Sequence, residues 1–459
     1  MNVYSDMTKK LSPPATSEGS GLIIAATASG TGKTTVTLAA LRAMARQNIS
    51  VSSGKVGPDY IDPAFHRAAS GLPCMNLDSF AMSNNTLNQI MATTISAADY
   101  TLIEGVMGLF DGSIAGSGST ADIAGRFELP VLLVVNVSGQ SDSVGAVVRG
   151  FMSHDKSIKI AGAVLNEVAS VRHGDMCRAA VENTGCPVIS VLPRESALTR
   201  EHRHLGLLQA SENTDLESFL DNAARWFEQN TDWPAFLSLF TPPRLHVGAQ
   251  ENDSGTTPLG RHISIASDVA FSFVYPHLLN CWRSKGTEVS FFSPLAGEAP
   301  AEGADAIYLP GGYPELHAAT LSRQRGFFAA IRAAANRDVS IFGECGGYMV
   351  LGESLTDTEG HSHPMAGLLP LEFTIENPER RLGYRTATLQ MPALAENAGT
   401  RFRAHEFHYA SISRTEPYSE TLKPLFKIED ARGKYLGKAG HTKGSVSGSF
   451  VHLIDKVAE

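Results

Sequence analysis

Two short strings in this 459-residue chain carry residue types that do chemistry. One is Ile341-Phe342-Gly343-Glu344-Cys345-Gly346-Gly347-Tyr348. An apolar run ends, a thiol follows, and two glycines come at once after it. The pattern predicts a strand turning sharply into a helix, with the sulfur at the apex and backbone N–H groups beside it. The other string is Ser29-Gly30-Thr31-Gly32-Lys33-Thr34-Thr35. Here Gly30 and Gly32 let backbone N–H groups turn toward an anion, and the following helix start adds positive potential. Thr31 and Thr35 share in this cradle. Lys33 is expected at the β- and γ-phosphates, and Thr34 offers its hydroxyl to Mg²⁺. The match to the strict phosphate-loop pattern is partial, because Thr27 stands where its first glycine belongs. A thiol nucleophile and a nucleotide loop on one chain imply two coupled half-reactions.

Each needs partners. Gly57-Pro58-Asp59-Tyr60-Ile61-Asp62-Pro63 sets two aspartates in a rigid turn downstream of Lys55. Glu104 ends an apolar run, and strand C-termini are where α/β proteins bind ligands. Asp59 and Glu104 are therefore the metal candidates with Thr34. Asp62 divides evenly between site and turn, and Asp111 before Gly112 reads as a turn residue. The thiol needs a base and an oxyanion site. Gly311, Gly312 and Gly346 can present N–H groups. The base should be a histidine from a distant segment: His405, His408, His441 and His452 all qualify, and the residues alone do not choose. In His405-Glu406-Phe407-His408-Tyr409, strand alternation puts Glu406 and His408 on one face and His405 and Phe407 on the other.

The elements that must position these groups are legible as alternating runs. Residues 22–26, 100–103, 131–135, 160–165 and 187–192 are apolar and strand-like, the second ending at Glu104, and 35–46 is rich in helix formers. Near-continuous apolar strands alternating with helices predict a parallel α/β sheet covered on both faces. The pattern restarts at 263–266, 289–292, 306–309 and 340–342, which predicts a second α/β unit, and 384–453 is richer in short strands and turns. The expected organisation is a disordered tail over 1–20, a nucleotide-binding domain over 21–228, a Pro- and Asn-rich linker over 229–259, and a thiol-bearing domain over 260–459.

Composition narrows the class further. A formal net charge of −9 argues against a general nucleic-acid or membrane-surface binder. No apolar run reaches the length of a membrane span, and the polar first twenty residues do not read as a secretory signal. The expected location is cytoplasmic. Five cysteines (Cys74, Cys177, Cys186, Cys281 and Cys345) show no metal-ligand spacing, so apart from Cys345 they read as reduced, buried thiols.

Taken together, these strings resemble the cobyrinate or hydrogenobyrinate a,c-diamide synthases of corrin biosynthesis, over residues 20–453. To those above, the resemblance adds Ser119-Thr120-Ala121-Asp122, the run from Arg200 to Leu207, Leu309 to Leu316 and Leu382-Gly383-Tyr384-Arg385. It implies an N-terminal dethiobiotin-synthetase-like ATP-binding domain and a C-terminal class I glutamine amidotransferase domain of flavodoxin-like fold. It also implies the activity: ATP-dependent amidation of the a and c acetate carboxylates of a corrin-type tetrapyrrole, with L-glutamine as nitrogen donor. By the family pattern the base is His452, and Asn166 lies on the adenine side of the nucleotide. Tyr60, Asp62, Thr120 and Asp122 are the expected acceptor-site residues. A sheltered ammonia path is implied, and the oligomeric state is open, a homodimer included. The style of 382–389 and 405–410 is closer to the hydrogenobyrinate-using branch.

Two departures stand out. Ala404 replaces a glycine common in the family, and the usual histidine two residues after the base is Ile454 here. The glutaminase then works as a Cys–His dyad, or Glu406 or Asp455 orients His452. Competing readings are a nickel sirohydrochlorin a,c-diamide synthase, a nucleotide-dependent regulatory protein with an idle glutaminase fold, and a plain biotin-pathway ligase.

Overall fold

The computed structural model describes residues 19–198, 215–246 and 255–457. The tail up to residue 18, the string from Arg200 to Leu207 and residues 247–254 of the expected linker lie outside these. Two compact units divide the chain near residue 251, with Ala81–Ser83 grouping with the second.

The N-terminal unit is built on β1 (Ser20–Ala26), β2 (Val51–Val56), β3 (Cys74–Leu77), β4 (Tyr100–Glu104), β5 (Val131–Asn136), β6 (Ile160–Val168) and β7 (Val188–Pro193). They form one sheet in the order β3-β2-β4-β1-β5-β6-β7, with parallel pairing throughout. Leu22, Ile24, Leu102, Leu132 and Val134 join residues of the helix Lys33–Arg46 in one buried cluster. Register does the positioning. Glu104 aligns with both Ile24 and Lys55, and Lys55 aligns with Asn76. The ends of four strands therefore meet at one level beside the loop after β1.

The expected linker is partly structured. Trp233–Ser238 is a helix, capped by the Asp232 carboxylate on the Ala235 N–H, with Pro234 in its first turn where a missing N–H costs nothing. Phe236 and Phe240 are buried in the N-terminal core, and Thr241 exchanges backbone hydrogen bonds of 2.8 and 3.1 Å with Gly21. The prolines suggested a linker; the aromatics at spacings of three and four make this stretch part of the domain. At the other end, β1 already includes Ser20, which the expected tail contained.

The C-terminal unit begins with β8 (His262–Ala266), β9 (Glu288–Phe292), β10 (Ala306–Leu309) and β11 (Ser340–Glu344). The short strands β12 (Ser354–Thr356), β13 (Ser362–Pro364) and β14 (Leu371–Thr374) follow. Then come β15 (Arg381–Leu389), β16 (Arg401–His408), β17 (Ser411–Thr415), β18 (Lys423–Asp430), β19 (Tyr435–Lys443), β20 (Val446–Ser449) and β21 (Val451–Lys456). A ten-stranded sheet runs β21-β16-β15-β18-β19-β20-β11-β10-β8-β9. Strands β20, β11, β10, β8 and β9 pair in parallel, and the remaining ladders are antiparallel. The strand-rich stretch noted after residue 384 is this antiparallel extension. It brings β16 and β21, which carry the histidines, into the same sheet as β11, which carries the thiol.

Candidate active sites

The loop after β1 has the conformation its glycines predict. Gly30 and Gly32 have φ of 77° and 89°, the left-handed region that disfavours any residue with a Cβ. A methyl on Gly32 would also lie 2.3 Å from the Asn166 amide nitrogen. That amide donates to the Thr31 carbonyl at 2.8 Å. Asn166, expected on the adenine side, thus braces the phosphate loop itself. Lys33, Thr34 and Thr35 open the helix Lys33–Arg46, with Gly32 preceding it.

Glu104, fully buried, organises what surrounds that loop. Its Oε1 receives Lys33 Nζ at 2.7 Å, Thr34 Oγ1 at 2.6 Å and Lys55 Nζ at 2.9 Å. Its Oε2 pairs with His66 Nε2 at 2.7 Å. Lys55 also reaches Asp62 at 2.7 Å and Asp59 at 4.0 Å. Burial opposes charge on Glu104, but Lys33, Lys55 and His66 hold its carboxyl well below the usual range. Burial likewise works against Lys55, which Asp62, Glu104 and Asp59 nevertheless hold well above its ordinary value. Lys33 goes the other way: burial, with Lys55 close by, outweighs Glu104 and lowers it. Asp59 is pushed up to about 6 by burial and by Asp62.

Sequence reasoning missed His66. Burial works against its charge, yet Cys74, with Sγ at 3.4 Å from Nδ1, and Glu104 raise it to about 10. The available signal was its spacing, four residues after Asp62 on a helix, which puts both on one face.

The four expected acceptor-site residues separate. Tyr60 lies half-buried in the loop between Asp59 and the helix Asp62–Ser70, and Asp62 is engaged with Lys55. Thr120 is fully buried, and its hydroxyl accepts the Val106 N–H at 2.9 Å and donates to the Val106 carbonyl at 3.1 Å. It ties down the loop after Glu104. Asp122 forms a capping box with Ser119, with bonds of 2.8 and 3.1 Å, so its carboxylate closes the start of Thr120–Phe127. Ser-Thr-Ala-Asp was legible as a helix start. Asp111 accepts the Gly108 N–H at 3.0 Å, as a turn residue should.

In the C-terminal unit, Cys345 sits between β11 and the helix Gly346–Leu351 with φ 47° and ψ −105°. This strained conformation in a residue bearing a Cβ is the sharp strand-to-helix elbow the sequence predicts. It is locked by the Cys345 N–H on the Ser449 carbonyl at 2.8 Å and the Gly347 N–H on the Pro310 carbonyl at 3.0 Å. The thiol donates to the Phe407 carbonyl at 3.8 Å, and the Gly346 N–H works to lower its pKa. A Cβ on Gly346 would meet Gly312 N at 3.1 Å, and one on Gly312 would lie 2.1 Å from the Ala270 carbonyl oxygen. Glycine at both positions lets two backbone segments close on the thiol. Burial pushes the thiol far up, and Glu315, Glu344 and Glu406 add to the push.

Of the four candidate histidines, His452 on β21 comes to the thiol. A methyl on Gly311 would touch both, at 2.6 Å from His452 Cε1 and 3.3 Å from Cys345 Cβ. His405 lies opposite His452 in the β16–β21 ladder and is lowered to about 3 by burial and by His452. His441 is bonded to the Tyr348 hydroxyl and lowered to about 4 by burial. His408 meets Glu406 at 3.0 Å, and His405 meets the Phe407 ring, as strand alternation predicts. Glu406, expected to orient His452, has its other oxygen on Arg385 Nε at 2.7 Å. Both of its oxygens are thus engaged on β15 and β16, because Glu406 stands opposite Val451 and not His452.

Comparison with known proteins agrees with this division. Residues 22–207 match the CobQ/CobB/MinD/ParA nucleotide binding domain, and residues 262–457 match the CobB/CobQ-like glutamine amidotransferase domain. A hydrogenobyrinate a,c-diamide synthase of Brucella anthropi is 50% identical over 96% of this chain and 99% of its own length. The enzymes of that name from Rhizobium meliloti and Rhodobacter capsulatus are 48% and 46% identical, each over 95% of this chain and 99% of its own length. Similarity of this extent, running through both units, shows that the chain belongs to the hydrogenobyrinate a,c-diamide synthase family.

Proposed function

We propose that the protein amidates the a and c acetate carboxylates of hydrogenobyrinate, with ATP as activator and L-glutamine as nitrogen source. The observation that carries this reading is the full-length similarity to synthases of that name, joined to two sites of complementary chemistry. In the N-terminal unit, Lys33 and the N–H groups of residues 30–35 receive the phosphates of ATP. Lys55 offsets charge as the γ-phosphate passes to a substrate carboxylate; positioning and neutralisation are the main demands of such a transfer. The resulting acyl phosphate is attacked by ammonia, and phosphate leaves.

Thr34, Asp59 and Glu104 would hold Mg²⁺. They are all oxygen donors, and Thr34 Oγ1 already lies 2.6 Å from Glu104 Oε1. Among the described residues no group of three or more His, Cys, Asp or Glu side chains forms a metal cage. Mg²⁺ commonly takes much of its coordination from phosphates and water. When bound, the ion would neutralise phosphate oxygens.

In the C-terminal unit, Cys345 attacks the glutamine side-chain amide. Burial and the nearby carboxylates disfavour a thiolate at Cys345, so His452 takes the proton as the sulfur attacks. The Gly312 and Gly346 N–H groups face the developing oxyanion. Ammonia departs with a proton from His452, and water releases glutamate.

The test is Cys345→Ala, assayed by mass spectrometry with metal-free ring and ATP. Glutamine should give no product, and ammonium should restore a gain of two amides. Failure with both donors would refute the two-site reading.

A further inference from the structure

Glu344 immediately precedes the nucleophile and is 2% exposed. Its Oε1 accepts the N–H of Leu453, the residue after His452, at 3.0 Å. Its Oε2 accepts the Tyr308 hydroxyl at 2.6 Å and lies 3.7 Å from His452 Nδ1. A buried carboxylate is costly to keep unless its charge or its bonds are used. Two of these contacts use it at the β21 backbone and ring that present His452, and the Tyr308 hydroxyl from β10 fixes the oxygen nearer that ring. The adjoining backbone is held separately by the Cys345 bond to Ser449.

The chemistry at His452 asks for such a group. A base that takes the thiol proton on one ring nitrogen becomes an imidazolium, which a carboxylate beside the other nitrogen stabilises and orients. We propose that Glu344 is the positioning residue of His452, so that the acid comes from the peptide before the nucleophile instead of from beyond the histidine. The proposal rests on the glutaminase reading of this unit. One elbow then fixes acid and nucleophile together, because Glu344 ends β11 and Cys345 is the turn that follows. The Sγ proton moves to His452 Nε2 as the S–C bond forms. The same proton passes to the amide nitrogen as the C–N bond breaks and ammonia leaves. Glu344 takes no proton in the cycle. The separation of 3.7 Å is longer than a hydrogen bond, as catalytic contacts often are before substrate binds.

The test uses the full chain and two readouts, glutamine hydrolysis and ammonia-driven synthesis. Cys345→Ala comes first: hydrolysis that survives it overturns the glutaminase reading, independently of Glu344. Glu344→Gln should then lower kcat for hydrolysis by ~10- to ~10³-fold, with KM for glutamine nearly unchanged and ammonia-driven synthesis retained. Glu344→Asp, which keeps the charge, should recover part of the rate. Because Glu344 acts through His452, the pair Glu344→Gln/His452→Ala should be no slower than His452→Ala alone. Native hydrolysis in Glu344→Gln would overturn the proposal, and so would a full additional loss in the double variant. If Glu344→Gln does not fold, Glu344→Asp decides: a loss of ammonia-driven synthesis alongside hydrolysis assigns Glu344 to the fold and overturns the proposal.

Discussion

Gly311→Ala isolates the geometry between nucleophile and base. Gly311 is not among the glycines of positive φ, so alanine suits its backbone and the effect is purely steric. The added methyl would lie 2.6 Å from His452 Cε1, 3.3 Å from Cys345 Cβ and 3.3 Å from Phe273 Cβ. Carbon atoms settle at ~3.5–4.0 Å, so His452 must retreat by ~1 Å. The loop cannot yield in its place, because the Gly311 carbonyl is held by the Phe273 N–H at 3.0 Å. A displacement of ~1 Å at a reacting group costs ~10²-fold in rate, or ~2.7 kcal/mol of barrier. The expected stability loss from overpacking is only ~1–3 kcal/mol. Steady-state glutamine hydrolysis should therefore fall ~10²-fold, while ammonia-driven synthesis stays near native and thermal unfolding remains cooperative. Hydrolysis within twofold of native would refute the dependence of the reaction on where His452 stands. Equal loss of the ammonia-driven reaction would refute its confinement to the glutaminase.

Three other expectations can be measured directly. Glu104→Gln leaves Lys33, Lys55 and His66 without their shared buried carboxylate and should cost ~3–5 kcal/mol in denaturant unfolding. It should also abolish synthesis with either nitrogen donor, so full ammonia-driven activity would count against its role. Phe236→Ala should destabilise the N-terminal unit by ~3–5 kcal/mol; a neutral result would return residues 233–240 to linker status. Stability should fall with acid, because burial lowers His405 to about 3 and His441 to about 4 from an ordinary 6.5. Groups depressed in the fold contribute fully above 6.5, and that contribution drains as pH falls toward 4 and then 3. From pH 7.5 to pH 5 each of these histidines should cost ~1–2 kcal/mol in urea unfolding, partly offset by His66, raised to about 10, and Asp59, raised to about 6, which favour the fold as pH falls. His441→Asn should shrink the loss between the two pH values, and an unchanged loss in that variant would refute it.

How much of this was legible depended on whether a residue's role is local. The parallel strands were readable because both of their faces are buried, which forces continuous apolar runs such as 131–135. The phosphate loop and the thiol elbow were readable because each needs glycine within a few residues. Roles set by register across the sheet were not readable. Glu406 looked like a partner for His452 until pairing put it opposite Val451. Glu344 was visible only as part of the cysteine string, since its contact with His452 spans more than one hundred residues. The capping and loop-tethering bonds of Thr120 and Asp122 were hidden for a different reason: such bonds use the same polar residues as ligand binding. The helix after Trp233 was hidden by prolines, though one of them occupies a position helices favour.

The electrostatics of the two units differ in sign at their candidate sites. In the N-terminal unit the carboxylates are shared unequally. Lys55 is held by Glu104, Asp62 and Asp59, whereas Lys33 has Glu104 alone among the ion pairs described and is lowered by burial. Lys33 is therefore the cation with most to gain from an anion, and it opens the helix that follows the glycine loop. Phosphate binding would relieve a desolvation the fold already bears. The C-terminal unit does the reverse: Glu315, Glu344 and Glu406 surround a buried thiol and oppose any negative charge on it. Such a site disfavours an idle thiolate and a wandering phosphate alike. A neutral amide, which the proposed glutaminase reaction brings, meets no such penalty. Moving a carboxylate away from Cys345 should thus make the sulfur easier to alkylate without making it a better glutaminase. Those two properties part only if the proton relay, and not thiolate abundance, limits the reaction.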